Sequence, residues 1–174
     1  RGATWVQDAL SVNDPLNAVH SRGSLVIVVG DDQGPTEAVA RSTSSGALGT
    51  WVAASVVPGT GEVLNDVVVI NSTSAVAVGN AGEILNSTDA GDNWGNPFTV
   101  VGTPDLNAVD SSSDFVVAVG DGGTIVRSTD AGANWVLPTT NTATNNLNDV
   151  VFLTGAILLA VGDNGEIYGS EDYG

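Results

Sequence analysis

At 174 residues with 42% hydrophobic side chains, the chain can build one domain with a real core, and its Val, Ala, Leu and Ile content argues against disorder. Twenty acidic residues face four arginines and no lysine, a net charge of −16; nothing here could neutralise a run of phosphates, so nucleic acid is repelled and anionic membrane surfaces are disfavoured. With no Cys, disulfides, thiol catalysis and thiolate metal sites are excluded, and no apolar run approaches the roughly 18 residues of a membrane span.

In chain order, the opening Gly2-Ala3-Thr4-Trp5 matches Gly132-Ala133-Asn134-Trp135 further on. A first strand is then expected at each Leu-Asn step: Leu16-Asn17-Ala18-Val19, Leu64-Asn65-Asp66-Val67, Leu106-Asn107-Ala108-Val109 and Leu147-Asn148-Asp149-Val150, spaced 48, 42 and 41 residues apart. A second strand of small and β-branched residues follows each, at Leu25 to Val29, Ala75 to Val78, Phe115 to Val119 and Ile157 to Val161. Each ends on a glycine turn: Gly30-Asp31-Asp32-Gln33-Gly34, Gly79-Asn80-Ala81-Gly82, Gly120-Asp121-Gly122-Gly123 and Gly162-Asp163-Asn164-Gly165. Gly, Asn and Asp tolerate the positive φ angles of tight hairpins, which is why they gather there. A third strand (Glu83 to Asn86, Thr124 to Arg127, Glu166 to Gly169) runs into a Ser-x-Asp-x-Gly-x-x-Trp box, and a fourth segment (Gly95 to Val101, Val136 to Thr140) leads to the next Leu-Asn.

The box is clean at Ser87 to Trp94 and at Ser128 to Trp135, degraded between Ser42 and Trp51, and begun at Ser170-Glu171-Asp172-Tyr173-Gly174. Ser44 replaces the Asp in the degraded copy, whose loop is expected to be looser or differently used; two loop insertions account for the longer first unit. Four short strands per repeat of about 42 residues are the blade of a β-propeller. The expectation is therefore an all-β fold: a propeller of four four-stranded blades, or a four-blade segment of a larger one, closed by pairing N- and C-terminal strands so that edges are not left exposed. Residues 1–174 form one domain, with repeats at residues 16–63, 64–105, 106–146 and 147–174, the last completed by residues 1–15.

The box and blade pattern resemble the Asp-box (BNR) repeats of sialidases and many secreted β-propellers. The longer pattern Leu-Asn-x-Val … Ala-Val-Gly-x-x-Gly-x-Ile-x-x-Ser-x-Asp-x-Gly-x-x-Trp is most similar to the photosystem II stability and assembly factor group, over nearly all of repeats two and three and part of one and four. The resemblance implies a fold and leaves function open, because propellers host enzymes, lectins and scaffolds alike. It implies a structural role for Asp89, Gly91, Trp94, Asp130, Gly132, Trp135, Asp172, Gly174 and Trp5: the carboxylate accepts turn amides, the Gly permits the reversal and the Trp ties down the hairpin. An Arg before the box Ser is common in the assembly-factor group and contributes to a basic patch; here Arg41 and Arg127 keep it while Asn86 and Gly169 do not, and the strongly negative chain departs from that group.

Catalytic residue sets are sparse. A sialidase needs three converging arginines and a Tyr–Glu pair, but Arg1, Arg22, Arg41 and Arg127 occupy unlike repeat positions and the two tyrosines, Tyr168 and Tyr173, share the last repeat. A two-carboxylate glycosidase cannot be located among twenty acids. His20 is the only histidine, which excludes a multi-His metal centre; it stands where the other repeats have Val68, Asp110 and Val151, and reads as an ordinary residue near a turn. The turn residues Asp31, Asp32, Asn80, Asp121 and Asp163 fall at the same turn of each repeat, around one face, and are the candidate ligand-binding set, for a basic partner or for Ca²⁺ at Asp31, Asp121 and Asp163, although no alternating-Asp Ca²⁺ loop is present. No cofactor is expected.

These observations lead us to expect a non-catalytic interaction scaffold that is secreted, periplasmic or on a cell surface, since the chain lacks Lys and is rich in Asn, Thr, Ser and Gly. It is expected to bind a protein or glycan partner and to be part of a longer chain or assembly. Rival expectations are a lectin-type propeller, a structural repeat of a larger surface or virion protein and, last, a glycoside hydrolase.

Overall fold

The computed structural model describes residues 4, 6–8, 14–31, 38–55, 57 and 63–174. It is all-β, with four antiparallel sheets in chain order. The first blade runs β1 (Leu16–Arg22), β2 (Leu25–Gly30), β3 (Val39–Ser42) and β4 (Val52–Ala53); the second runs β5 (Leu64–Val69), β6 (Ala75–Gly79), β7 (Glu83–Ser87) and β8 (Gly95–Thr99). The third blade holds β9 (Leu106–Ser112), β10 (Phe115–Gly120) and β11 (Thr124–Ser128), and the fourth β12 (Leu147–Thr154), β13 (Ile157–Gly162) and β14 (Ile167–Ser170). Strands pair in sequence order in each blade, as a meander.

One expected fourth strand differs, and another falls mostly outside the described residues. In the third blade the segment from Val136 to Thr140 is reduced to one bridge, Arg127 with Val136, closed by two bonds of 2.9 Å. Pro138 follows two residues later and has no N–H to continue the ladder. In the fourth blade the sheet has three strands; the expected completing strand falls on residues 1–15, of which only 4, 6–8, 14 and 15 are described, and none of these is in a strand.

The core lies between blades. Alternate side chains of a strand point to opposite faces, and the middle strands are buried on both. In β6, Ala75 and Ala77 join Leu25, Ile27 and Val29 of the first blade, while Val76 and Val78 join Leu106, Val109 and Val116 of the third. In β10, Val116 and Ala118 face back to the second blade and Val117 and Val119 face forward to Leu147, Val150 and Leu158. Such strands read as continuous apolar runs because neither face meets water. The innermost strands pack in order, β1 on β5, β5 on β9 and β9 on β12; no comparable packing joins β12 to β1.

The glycines that end the second strands act by close approach. Gly79, Gly120 and Gly162 are extended, at φ −158°, −170° and −145°. A Cβ at Gly30, Gly79, Gly120 or Gly162 would run into the carbonyl oxygen of Pro15, Val63, Asp105 or Asn146 respectively. The next residue of each turn donates its N–H to that same carbonyl at 2.9 Å. Positive φ comes later in the three described turns, at Ala81, Gly122 and Asn164 and at the glycine after each.

Candidate functional site

The turn acids and the Leu-Asn steps meet. Asn17, Asn65, Asn107 and Asn148 each donate from Nδ2 to the turn residue of their own blade: Asp31 Oδ1 at 2.7 Å, Asn80 Oδ1 at 2.9 Å, Asp121 Oδ1 at 3.0 Å and Asp163 Oδ1 at 3.0 Å. Three of them also reach the carbonyl of the leucine that opens the following blade: Asn17 to Leu64 at 3.0 Å, Asn65 to Leu106 and Asn107 to Leu147 at 2.9 Å. The candidate set Asp31, Asn80, Asp121 and Asp163 thus falls at one repeated position and orients an asparagine that staples one blade to the next. Asp32 lies outside the described residues.

A second row of bonds crosses the same joints deeper in. The Val69 amide donates to His20 Nδ1 at 3.0 Å, the Val109 amide to Asp66 Oδ2 at 2.9 Å and the Phe152 amide to Asp110 Oδ2 at 2.7 Å. The other oxygens of Asp66 and Asp110 accept the amides of Val67 at 2.8 Å and Ser111 at 2.7 Å. His20 is therefore a working inter-blade acceptor at the position Asp110 fills two blades on. Burial holds its pKa below 6.5, with Arg22 lowering it further and Asp110 opposing. For Asp66 burial is the larger influence and raises the carboxyl pKa above its usual 3.8 against the two amides that stabilise the anion.

The boxes are closed local networks. Ser87 Oγ, in a buried residue, accepts the Asp89 and Gly91 amides and donates to Asp89 Oδ1; Asp89 in turn accepts the Asn93 amide and side chain, and Trp94 Nε1 donates to the Gly91 carbonyl. Ser128, Asp130, Gly132, Asn134 and Trp135 repeat this bond for bond, and Ser170, Asp172 and Gly174 form its first half. The bonds from Asn93 and Asn134 hold Asp89 and Asp130 below the usual carboxylate pKa. In the degraded box Thr50 replaces the carboxylate as Ser42's partner, at 2.7 Å, and donates to the Ala47 carbonyl. That loop is differently used. Trp94 and Trp135 bury their rings against the preceding blade; Trp5 lies outside the described residues.

The described bases are confined to one end of the blades, whereas acids stand at both. The face bearing the turns and the loops into each Leu-Asn carries Asp14, Asp31, Asp105, Asp121, Asp163 and Glu166. Arg22, Arg41 and Arg127 all lie at the opposite ends of their strands, where Arg41 pairs with Asp92 of the next box at 2.9 Å. Among the described residues no basic side chain stands on the turn face, and no three His, Cys, Asp or Glu side chains are gathered to hold a metal ion. Between the third and fourth blades a groove of about 490 Å³ runs over Val117, Val119, Ile125, Leu158, Ala160 and Tyr168, with Arg127 at one end.

Four meander sheets packed face to face in sequence define a β-propeller. The chain is similar to the computationally designed Ika4 protein (TM-score 0.72, 12% identity, covering 98% of this chain and 99% of that one) and to the designed Ika8 protein (TM-score 0.67, 13% identity, 93% and 48%). It also resembles YCF48 bound to D1 peptide (TM-score 0.56, 20% identity), over 63% of this chain and 38% of YCF48. The chain thus spans nearly all of Ika4 and less than half of the other two. No family model and no curated protein matches it.

Proposed function

We propose that this chain is a non-catalytic interaction scaffold, built of Asp-box repeats like those of the photosystem II assembly factors and working outside the cytoplasm, whose acidic turn face docks a basic segment of another protein. The observation that carries this reading is where the bases stand: the turn face carries acids and no described base, while Arg22, Arg41 and Arg127 stand at the other face among the acids of the boxes. A uniformly negative face attracts a basic partner and speeds its encounter. The YCF48 neighbour was solved with a peptide bound, which supports a peptide-docking role for a frame of this kind.

Asn80 shows that asparagine can hold the staple in place of aspartate, so charge can be removed without dismantling the frame. The test is fluorescence anisotropy of a lysine-rich peptide against the triple variant Asp31→Asn, Asp121→Asn, Asp163→Asn, with Asp114→Asn plus Glu171→Gln at the opposite end as control. The proposal expects binding that weakens in about 1 M salt, where the Debye length is about 3 Å, and a larger loss in the triple variant than in the control. Equal losses in both, or saturable binding on a glycan array that salt and the triple variant leave intact, overturn it.

A further inference from the structure

Among the described residues, two faces repeat the inter-blade joint with no blade against them. Leu64, Leu106 and Leu147 are fully buried, yet Leu16, at the same repeat position, is 44% exposed; Val67, Val109 and Val150 are 1%, 6% and 5% exposed against 65% for Val19. At the far end Val78 and Val119 are fully buried, while their equivalent Val161 is 42% exposed. The polar rows stop at the same two places. Asn148 donates to Asp163 but to no leucine carbonyl, unlike Asn17, Asn65 and Asn107. Asp149 accepts its neighbour's amide through Oδ1, as Asp66 does, and its Oδ2 has no partner among the described residues. The matching groups, the Leu16 carbonyl and the Val19 amide, belong to the open side of β1.

A piece of the missing contact is already in place. Ser55, four residues after Trp51, donates its amide to the carbonyl of Asp92 in the next blade's box at 2.7 Å. Asp8, three residues after Trp5, accepts the amide of Gly49 in the first blade's box at 2.8 Å. Val6 to Asp8 therefore lies where the outer strand of a preceding blade belongs, and the fourth blade is a three-stranded sheet with β14 at its edge.

We propose that the two open faces bind each other between two copies of this chain: β12, β13 and β14 of one copy dock on β1 and the Val6 to Asp8 segment of the other, and the reciprocal contact closes a ring of eight blades. The new joint has the composition of the three inner ones, with valine and leucine covered, Asn148 meeting the Leu16 carbonyl and Asp149 the Val19 amide. A head-to-tail contact ends in a ring only when its rotation closes. The four-blade arc overlays 48% of the Ika8 propeller, so two arcs make up such a circle. Within one copy β12 and β1 do not pack as the inner strands of neighbouring blades do.

The absence of cysteine makes the test direct. Val19→Cys and Val161→Cys introduce single thiols at positions whose inner equivalents, Val150 and Val119, share one cluster. With a short bismaleimide the proposal expects a covalent dimer when the two single variants are mixed, and none from either variant alone. The double variant should give a two-chain product. A cross-link within one chain, a ladder of larger products or no cross-link overturns it. Sedimentation of the unmodified chain should show a dimer that strengthens with salt, since each copy carries −16, and Val161→Glu, changed at an exposed position, should stay folded by circular dichroism and run as a monomer. A folded Val161→Glu that sediments like the parent also overturns it. The salt response is opposite to that of the basic-partner reading, so either can fail alone.

Discussion

The Val69 amide donates to His20 Nδ1 at 3.0 Å, so one blade's inner strand is held by an imidazole from the blade before it. Only a neutral ring can accept that proton. Burial, more than the opposing Asp110, keeps the folded pKa below 6.5. The unfolded chain then binds more protons than the folded one between 6.5 and the lower folded value, and stability falls as pH drops through that window.

His20 is the sole histidine, so that window isolates it. Urea midpoints should be level above pH 6.5 and decline as pH falls below it, and His20→Gln, whose amide oxygen can accept at any pH, should remove the decline. An unchanged slope in His20→Gln would place the titration elsewhere.

Gly120 is extended, and what forbids a side chain is the Asp105 carbonyl that a Cβ would strike. Gly120→Ala should cost about 3 kcal/mol, because neither backbone can retreat without breaking the Asp121 amide bond to that same oxygen. Gly122, two residues on, has positive φ and nothing within 4 Å of its would-be Cβ. Gly122→Ala should cost about 1–2 kcal/mol, the price of the left-handed conformation alone. Equal costs by chemical denaturation would refute the close-approach account.

Ser87 carries the second box. Its hydroxyl takes two amides and donates to Asp89 from a buried site. Ser87→Ala leaves the Gly91 amide buried without an acceptor and should destabilise by about 1–3 kcal/mol. Thr88→Ala, at an exposed neighbour, should stay within about 0.5 kcal/mol. Thermal unfolding of the two variants decides whether the box acts through this serine.

What was legible in the sequence follows the reach of each bond. The box bonds span two to four residues, Ser87 to Asp89 and Asp89 to Asn93, so spacing alone exposes them. The pairing of Asn107 with Asp121 spans 14 residues and that with the Leu147 carbonyl 40; both motifs are visible, but their meeting depends on strand register and blade order. His20 escaped because the repeat aligns it with Val68 and Val151, which hides a role that it shares with Asp110. Asp66 performs the same task two residues earlier in its own repeat. When the job is constant but the residue type and position are not, no pattern in one sequence records it.

Asp66 offers the sharpest check of that deeper row. It accepts two amides, one from its own strand and one from the next blade, whereas Asp149 at the same repeat position accepts only its own. Asp66→Ala strands both donors and should cost about 1–3 kcal/mol, while Asp149→Ala should cost less in a dilute, monomeric sample. The pH response has the sign opposite to that of His20. Burial raises the folded pKa of Asp66 above 3.8, so the folded chain binds the extra proton. Its contribution is therefore greatest below that value and diminishes as pH rises through the raised pKa. Urea midpoints of Asp66→Ala should lose that component between 3.8 and the folded value, and the gap to the parent chain should narrow as pH rises. A gap that widens with pH would mean that the two amides outweigh burial and that the folded carboxyl titrates below its usual range.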